Sequence, residues 1–433
     1  MSKPLLVFQA PVFTRSGYGD HSRDLLQSLF DLDKYDVKVV PTRWGSTPQN
    51  QLDGVSEFSK KVLSSVITTL DKEPDVYIQV TVANEFKKMG KYNIGITAGV
   101  ETTLAPKDFI DGCNRMDLVL VPSKFTKEVL QKTSFAEVDK ATNQKIRDIN
   151  VQTPIEVLFE GVDLDIFLNR TNQETDVLAN TEKLDKKIET DFNFLFVGHW
   201  LSGDLGQDRK DVGMLIKTFC TIFKSLPKNK QPGLILKTSM AGFSIIDRED
   251  ISERIKTITK EYGENCPPIY LLFGDMKPSE IANLYHHPKV KAMISFTKGE
   301  GYGRPLAEFA ATGKPIIVSK WSGLTDFLPE SNTIYLDGEL TKVHPSAANQ
   351  FLMAESQWFS VNYSTAAQKI MDVFKNYSKY SDTSKGLQSN IKNNFSLGKM
   401  TEVFGNLLNK YVKVASHVQL KLPQLNLPKI TKL

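Results

Sequence analysis

The chain has 433 residues, 40% hydrophobic and 24% charged, with 26 glycines and 20 prolines. This composition excludes collagen-like and low-complexity classes and, at about 150 residues per domain, implies two or three domains. Lysine and arginine number 54 against 50 aspartates and glutamates, and the net charge of +4 makes no case for a nucleic-acid coat or a polybasic membrane anchor, although it leaves room for a local basic cleft. Cys113, Cys220 and Cys266 stand apart with no CxxC spacing, which argues against structural zinc and a disulfide framework and points to a reducing compartment. The opening MSKPLLVFQAPVFTRSGYGD has no long apolar run with a cleavage site, and no stretch of about 18 apolar residues occurs anywhere. A cytoplasmic protein without stable membrane insertion is the expectation.

In chain order, β-branched and aromatic runs predict strands at 5–12, 36–40, 75–80, 93–98, 118–122 and 155–159. Helical patterns lie between them at 20–30, 55–70 and 124–132. The pattern restarts with strands at 192–197, 233–237, 269–273, 290–295 and 314–318, again separated by helices. Alternating β and α units imply an α/β fold of two doubly wound parallel-sheet, Rossmann-like domains. The first is expected over 1–190 and the second over 191–395, with a polar, aromatic-poor linker or exposed loop at 168–191 and a polar insertion at 138–149. A helix at 399–414 within a closing segment 396–415, then an extended lysine-bearing tail at 416–433, complete the organisation.

The most informative segment is FTKGEGYGRPLAEFAATGKPIIVSKWSGLTDFL, residues 296–328. A buried strand is followed by a loop with Gly299, Gly301 and Gly303, and a helix begins near Arg304 or Pro305. Strand, glycine loop and helix N-terminus together make an anion site, because the backbone can approach closely and the helix dipole is positive there. Glu300 and Glu308 stand eight apart, so both could face one pocket; an ordinary βα turn with solvated glutamates has the same spacing. Neither GxGxxG nor the P-loop pattern is present. Arg209 and Lys210 lie on a loop before a helix, where bases are electrostatically disfavoured, and that mismatch points mildly to an anionic ligand. The triplets Asp31–Asp33 and Asp163–Asp165 fall at a helix end and in a GVDLDIF stretch, and both are read as structural.

The 296–328 segment resembles the EX7E region of family 4 retaining glycosyltransferases, which have the GT-B fold. FNFLFVGHWLSGDLGQDRKDVGMLIKTF at 192–219 resembles that family's strand, glycine, basic pair and helix. IEVLFEGVDLDIF at 155–167 and DLVLVPS at 117–123 resemble its stretches at the end of the first domain. The likeness runs from about residue 5 to about residue 410. PVFTRSGYGDHSRDLL and VETT are also similar to glycosyltransferases of large phages.

The resemblance implies a cleft enzyme that moves a sugar from a UDP- or GDP-linked donor to an acceptor hydroxyl with retention, needing no metal and no cofactor beyond the donor as co-substrate. It implies catalytic roles for Arg209 and Lys210 on the donor diphosphate and for Glu300 beside the transferred sugar. Glu308 would accept from the ribose hydroxyls. Gly301, Tyr302, Gly303, Arg304 and Leu306 would line the donor, Met276 in the 274–277 loop would lie along the nucleobase, and Lys237 is a further candidate for the diphosphate. Gly17, Tyr18 and Gly19 match a glycine loop facing donor diphosphate and acceptor, with His21 just beyond. Glu101 or Thr102 stands where many family members carry a histidine. A glycan, a small molecule or modified DNA are the open acceptor classes, with glycosylation of hydroxylated bases and non-catalytic nucleotide-sugar binding as the rival functions. Replacing Arg209 and Lys210 by alanine is expected to change the folded state little, because surface charge substitutions usually move stability by less than about 0.5 kcal/mol.

Overall fold

The computed structural model describes residues 3–54, 56–169, 175–240 and 244–413. Two parallel six-stranded sheets organise it. In the first, the order across the sheet is Asp36–Pro41, Leu5–Ala10, Val76–Val80, Tyr92–Ile96, Leu118–Val121 and Ile155–Val157. The second runs Ile269–Leu272, Gly233–Ser239, Asn193–His199, Val290–Ser295, Ile316–Ser319 and Ile334–Leu336. Parallel strands of this kind are covered by helices on both faces and so are apolar throughout rather than alternating. VYIQV at Val76–Val80 and LVLV at Leu118–Val121 are buried at every position. The doubly wound α/β expectation holds, with strand ends displaced by at most two residues and the last strand of the second sheet, Ile334–Leu336, missed as too short.

Several local readings change. The helix expected from Asp20 starts three residues earlier, over Gly17–Leu32, because Ser16 caps it by accepting from Gly19 N at 3.1 Å. Gly17 and Gly19 therefore sit in a first helical turn and not in a free glycine loop. The 138–149 stretch forms most of an antiparallel hairpin, Phe135–Val138 with Lys145–Ile149. Within 168–191, expected to be linker or exposed loop, Thr175–Lys187 is helical. Leu184 and Ile188, four apart, pack on the core of the second domain, and Lys289 Nζ donates to Ile188 O at 2.7 Å. The remaining residues of that span supply the polar composition that suggested a linker. A second hairpin, Gly338–Lys342 with Gln357–Val361, has no strand-like signal in its polar first arm.

The helix Leu397–Tyr411 follows the second domain in sequence yet lies on the first. Its Met400, Phe404 and Leu408 are buried with Leu25, Leu26 and Leu29 of the Gly17–Leu32 helix. Gly405 allows the approach, since a Cβ there would lie 2.8 Å from Leu32 Cδ2. Ser28 Oγ and Thr401 Oγ1 share a hydrogen bond of 2.8 Å across the same contact. The 416–433 tail lies outside the described residues.

Candidate active site

The strand order of the second sheet reverses between Asn193–His199 and Val290–Ser295, which is where ligands bind in open α/β sheets. The loops leaving these two strands carry the basic pair and Glu300. The first loop is anchored from both sides of the pair. Lys298 N donates to Arg209 O at 2.7 Å, and Asp208 Oδ2 accepts from Val212 N at 3.2 Å. Asp211 adopts a left-handed conformation (φ 52°), and its carboxylate takes the fully buried Lys298 ammonium at 3.3 Å and the Tyr363 hydroxyl at 2.7 Å. A buried ion pair behind the loop thus fixes the direction of the side chains in front of it.

Arg209, Lys210 and Glu300 meet. The Lys210 ammonium donates to Glu300 Oε1, and Arg209 Nη1 reaches Glu300 Oε2 at 3.2 Å and Gly299 O at 2.8 Å. Thr297 Oγ1 donates to the same carboxylate at 2.8 Å. Burial alone would raise the Glu300 carboxyl, but Lys210 and Arg209 together hold it down at about 2. Arg209 Nη2 also lies 3.4 Å from Glu101 Oε1, whereas Thr102 is buried and turned to Leu104 O. Of the two residues at the expected histidine position, Glu101 is the one facing the basic pair.

One member of this group was not among the candidates read from sequence. His199 ends the Asn193–His199 strand, and its Nδ1 shares a 3.0 Å hydrogen bond with Ser239 Oγ. Desolvation and then the charges of Lys210, Arg209 and Lys237 lower its pKa. Its place at a strand end beside the reversal of strand order was the available signal. Lys237 itself donates to Gly274 O at 2.6 Å, and Met276 of that loop packs against the domain core.

The glycines of the 299–303 loop allow the two halves to touch. A Cβ at Gly299 would collide with Glu101 O, and one at Gly301 with Ala98 O. Ser123 Oγ donates to Gly301 O at 2.6 Å, and Lys124 N donates to Asp326 Oδ2 at 2.8 Å. Tyr18 reaches the same place from the first domain, its hydroxyl accepting from Ala98 N at 3.0 Å and lying 3.2 Å from Thr97 Oγ1. Gly303 is left-handed (φ 101°) and caps the helix Arg304–Ala310. Tyr302 and Leu306 turn inward into the second domain's core, so contact with a ligand would pass through their backbone.

Arg304 and Glu308 belong to a second, separate charge cluster. Arg304 Nε donates to Glu308 Oε1 at 2.8 Å, and its Nη1 crosses to Asp24 Oδ2 of the first domain at 2.6 Å, with Glu160 Oε2 3.9 Å away. Burial raises both Glu160 and Glu308 to about 7, opposed by Arg304 and reinforced by Asp20 and Asp24. His21, beneath this cluster, is buried with Nδ1 unpartnered; burial and then Arg304 push it down to about 3. Asp24 and Glu160 escaped the sequence reading, although Glu160 lies within the quoted FEGVD stretch.

No protein-family model matches the chain, and no curated protein matches it in sequence. Solved structures match in shape. A glycosyltransferase from Rickettsia africae ESF-5 is 15% identical, with a TM-score of 0.62 over 96% of this chain and 100% of that one. Sucrose-phosphate synthase from Thermosynechococcus elongatus is 13% identical at 0.59, over 94% and 98%. The Anabaena protein HepE, in complex with UDP and glucose, is 9% identical at 0.55, over 94% and 100%. With its two parallel six-stranded sheets and flanking helices, the chain therefore has the GT-B fold.

Proposed function

We propose that the protein is a metal-independent retaining glycosyltransferase related to family 4, moving a hexosyl or pentosyl group from a UDP- or GDP-linked donor to an acceptor hydroxyl in the cytoplasm. The observation that carries this reading is the convergence of Arg209 and Lys210 on Glu300, beside His199 and Lys237, where the second sheet reverses its strand order. The structural neighbour holding UDP and glucose supports a nucleotide-sugar donor. Residues 1–190 would form the acceptor side, 191–395 the donor side, and 396–415 the return to the first domain.

In this reading the diphosphate replaces carboxylate as the partner of Arg209 and Lys210. As the bond from the anomeric carbon to the phosphate oxygen breaks, negative charge grows on the leaving diphosphate, and the pair stabilises it without reorganising. The acceptor oxygen forms the new bond to the anomeric carbon on the same face, and its proton passes to the departing phosphate oxygen. Glu300 orients the sugar hydroxyls. Glu308 accepts from ribose once Arg304 yields one of its contacts. The backbone of Gly301, Tyr302, Gly303 and Leu306 lines the donor, and Met276 flanks the base.

A thermal-shift panel of UDP, GDP, ADP and CMP, followed by turnover assays with the sugar form of the nucleotide that stabilises, tests the reading. At 100 times its dissociation constant the correct nucleotide should add about 2.7 kcal/mol. No stabilisation by any nucleotide would refute a donor site. Stabilisation without donor cleavage, with any acceptor, would identify a binding protein.

A further inference from the structure

The tryptophans of this chain divide sharply by environment. Trp200, Trp321 and Trp358 pack in or against apolar cores. Trp44 joins none of the apolar cores among the described residues and remains partly exposed, in the polar loop RWGSTPQNQLDG that follows the Asp36–Pro41 strand. An indole in such a loop would ordinarily be free to rotate. Here it is held flat, stacked on Tyr18 with ring centroids 3.9 Å apart and planes 23° from parallel. Tyr18 is itself pinned by Ala98 N and Thr97, next to the backbone that meets Gly301.

The loop is braced as well. Thr47 closes a turn on Trp44 O from both its N (3.1 Å) and its Oγ1 (2.7 Å). Arg15 Nε donates to Asn50 Oδ1 at 2.7 Å, Arg15 N donates to Pro48 O at 2.9 Å, and the same guanidinium pairs with Asp275 of the second domain. The ring is thus fixed on the first-domain wall of the cleft, separated from the glycine loop that carries Glu300 by Tyr18 and Ala98. Pre-organising a partly exposed aromatic face in this way lowers the cost of stacking a ring on it.

We propose that Trp44, backed by Tyr18, is the platform on which a sugar ring of a neutral carbohydrate acceptor stacks. The proposal rests on the glycosyltransferase reading and assigns its acceptor class. Charge decides between the classes: residues 42–54 hold one cation, Arg43, and one carboxylate, Asp53, amid threonine, serine, glutamine and asparagine. A nucleic-acid surface needs several cations to neutralise phosphates. An aromatic face in a loop of mostly neutral hydroxyl and amide side chains suits the alternating C–H and O–H faces of a sugar instead.

The test uses the full chain, wild type, Trp44→Phe and Trp44→Ala, on an array of neutral and charged oligosaccharides alongside single-stranded and duplex DNA oligonucleotides. UDP-glucose and GDP-mannose thermal shifts are run on all three proteins. At least one neutral oligosaccharide should bind wild type and Trp44→Phe, and lose at least about tenfold in affinity for Trp44→Ala, about 1.4 kcal/mol. Nucleotide-sugar shifts should be the same in all three. Failure to retain any glycan, glycan binding indifferent to Trp44→Ala, or a DNA affinity that depends on Trp44 would each overturn the platform. Absent nucleotide-sugar shifts with Trp44-dependent glycan binding would refute the donor reading while leaving the platform in place as a glycan site.

Discussion

The loop of Arg209 and the helix of Arg304 both bury charge beside the cleft, with different balance. Around Glu300 two cations, Arg209 and Lys210, meet two carboxylates, Glu300 and Glu101. Around Arg304 the acids are Asp20, Asp24, Glu160 and Glu308, against Arg304 and Arg23. The first cluster is balanced charge for charge, whereas the second carries excess acid that protons offset. Glu300 is accordingly held at about 2, while Glu160 and Glu308, equally buried, are raised to about 7. Burial raises all three carboxyls; the sign of the shift follows from how many cations each one meets.

The largest way to break this contrast is to remove the first cluster's cations. Arg209→Ala or Lys210→Ala should lower turnover by about 100- to 1,000-fold, the scale of losing one preorganised charge-stabilising donor, and a variant with unchanged turnover would refute the phosphate site. The structure also overturns the expectation of negligible stability loss. The Arg209 and Lys210 side chains are only 17% and 12% exposed, and the double variant leaves the Glu300 carboxylate buried without its two cations. Breaking a buried pair costs about 3–5 kcal/mol, so the double variant should show a clear drop in urea midpoint, which the single variants share less.

Next in size, Glu300→Gln and Glu308→Gln should diverge. Each loses a charged hydrogen bond worth about 1.5–3 kcal/mol, about 10- to 150-fold. For Glu300→Gln the loss should fall on kcat, and for Glu308→Gln on the donor's KM. Equal effects on both constants in both variants would remove the distinction between the clusters.

A smaller effect concerns pH. Because Glu160 and Glu308 have folded-state pKa values above their unfolded ones, the folded state binds more protons, and stability falls as pH rises from about 4.5 through 7. Glu300 has the opposite sign: its contribution is present above its unfolded value and is lost only as pH falls toward 2. Thermal melts should therefore decline between pH 5 and pH 7.5 in low-salt buffer, by about 2–4 °C per kcal/mol for domains of this size. Glu160→Gln should flatten that decline, and an unchanged slope would contradict the proton-sharing account. The smallest expected effect is that of EDTA: with Arg209 and Lys210 supplying the positive charge, turnover should not change, and activity lost to EDTA and restored by manganese would refute this.

Much of the fold was legible because parallel strands buried on both faces write themselves as near-continuous apolar runs, unbroken at Leu118–Val121 and broken only by Gln79 at Val76–Val80. Spacing along the chain likewise paired Glu300 with Glu308 and marked the glycines between Glu300 and Arg304, since a close backbone approach demands glycine locally. The resemblance to family 4 glycosyltransferases singled out Arg209 and Lys210. Three things depended on tertiary structure. Helix Thr175–Lys187 was hidden because its apolar positions are sparse, and the second domain supplies the surface that makes Leu184 and Ile188 core residues. His199, Asp24 and Glu160 carry no motif of their own and became part of the clusters only when strand order and domain contact brought distant charges within a few ångströms. The sequence by itself determined which residue types could bind an anion and where the backbone could come close to one. Which carboxylate met two cations and which met other acids was decided by packing, because electrostatic energy depends on distance and burial, and neither is encoded by spacing along the chain.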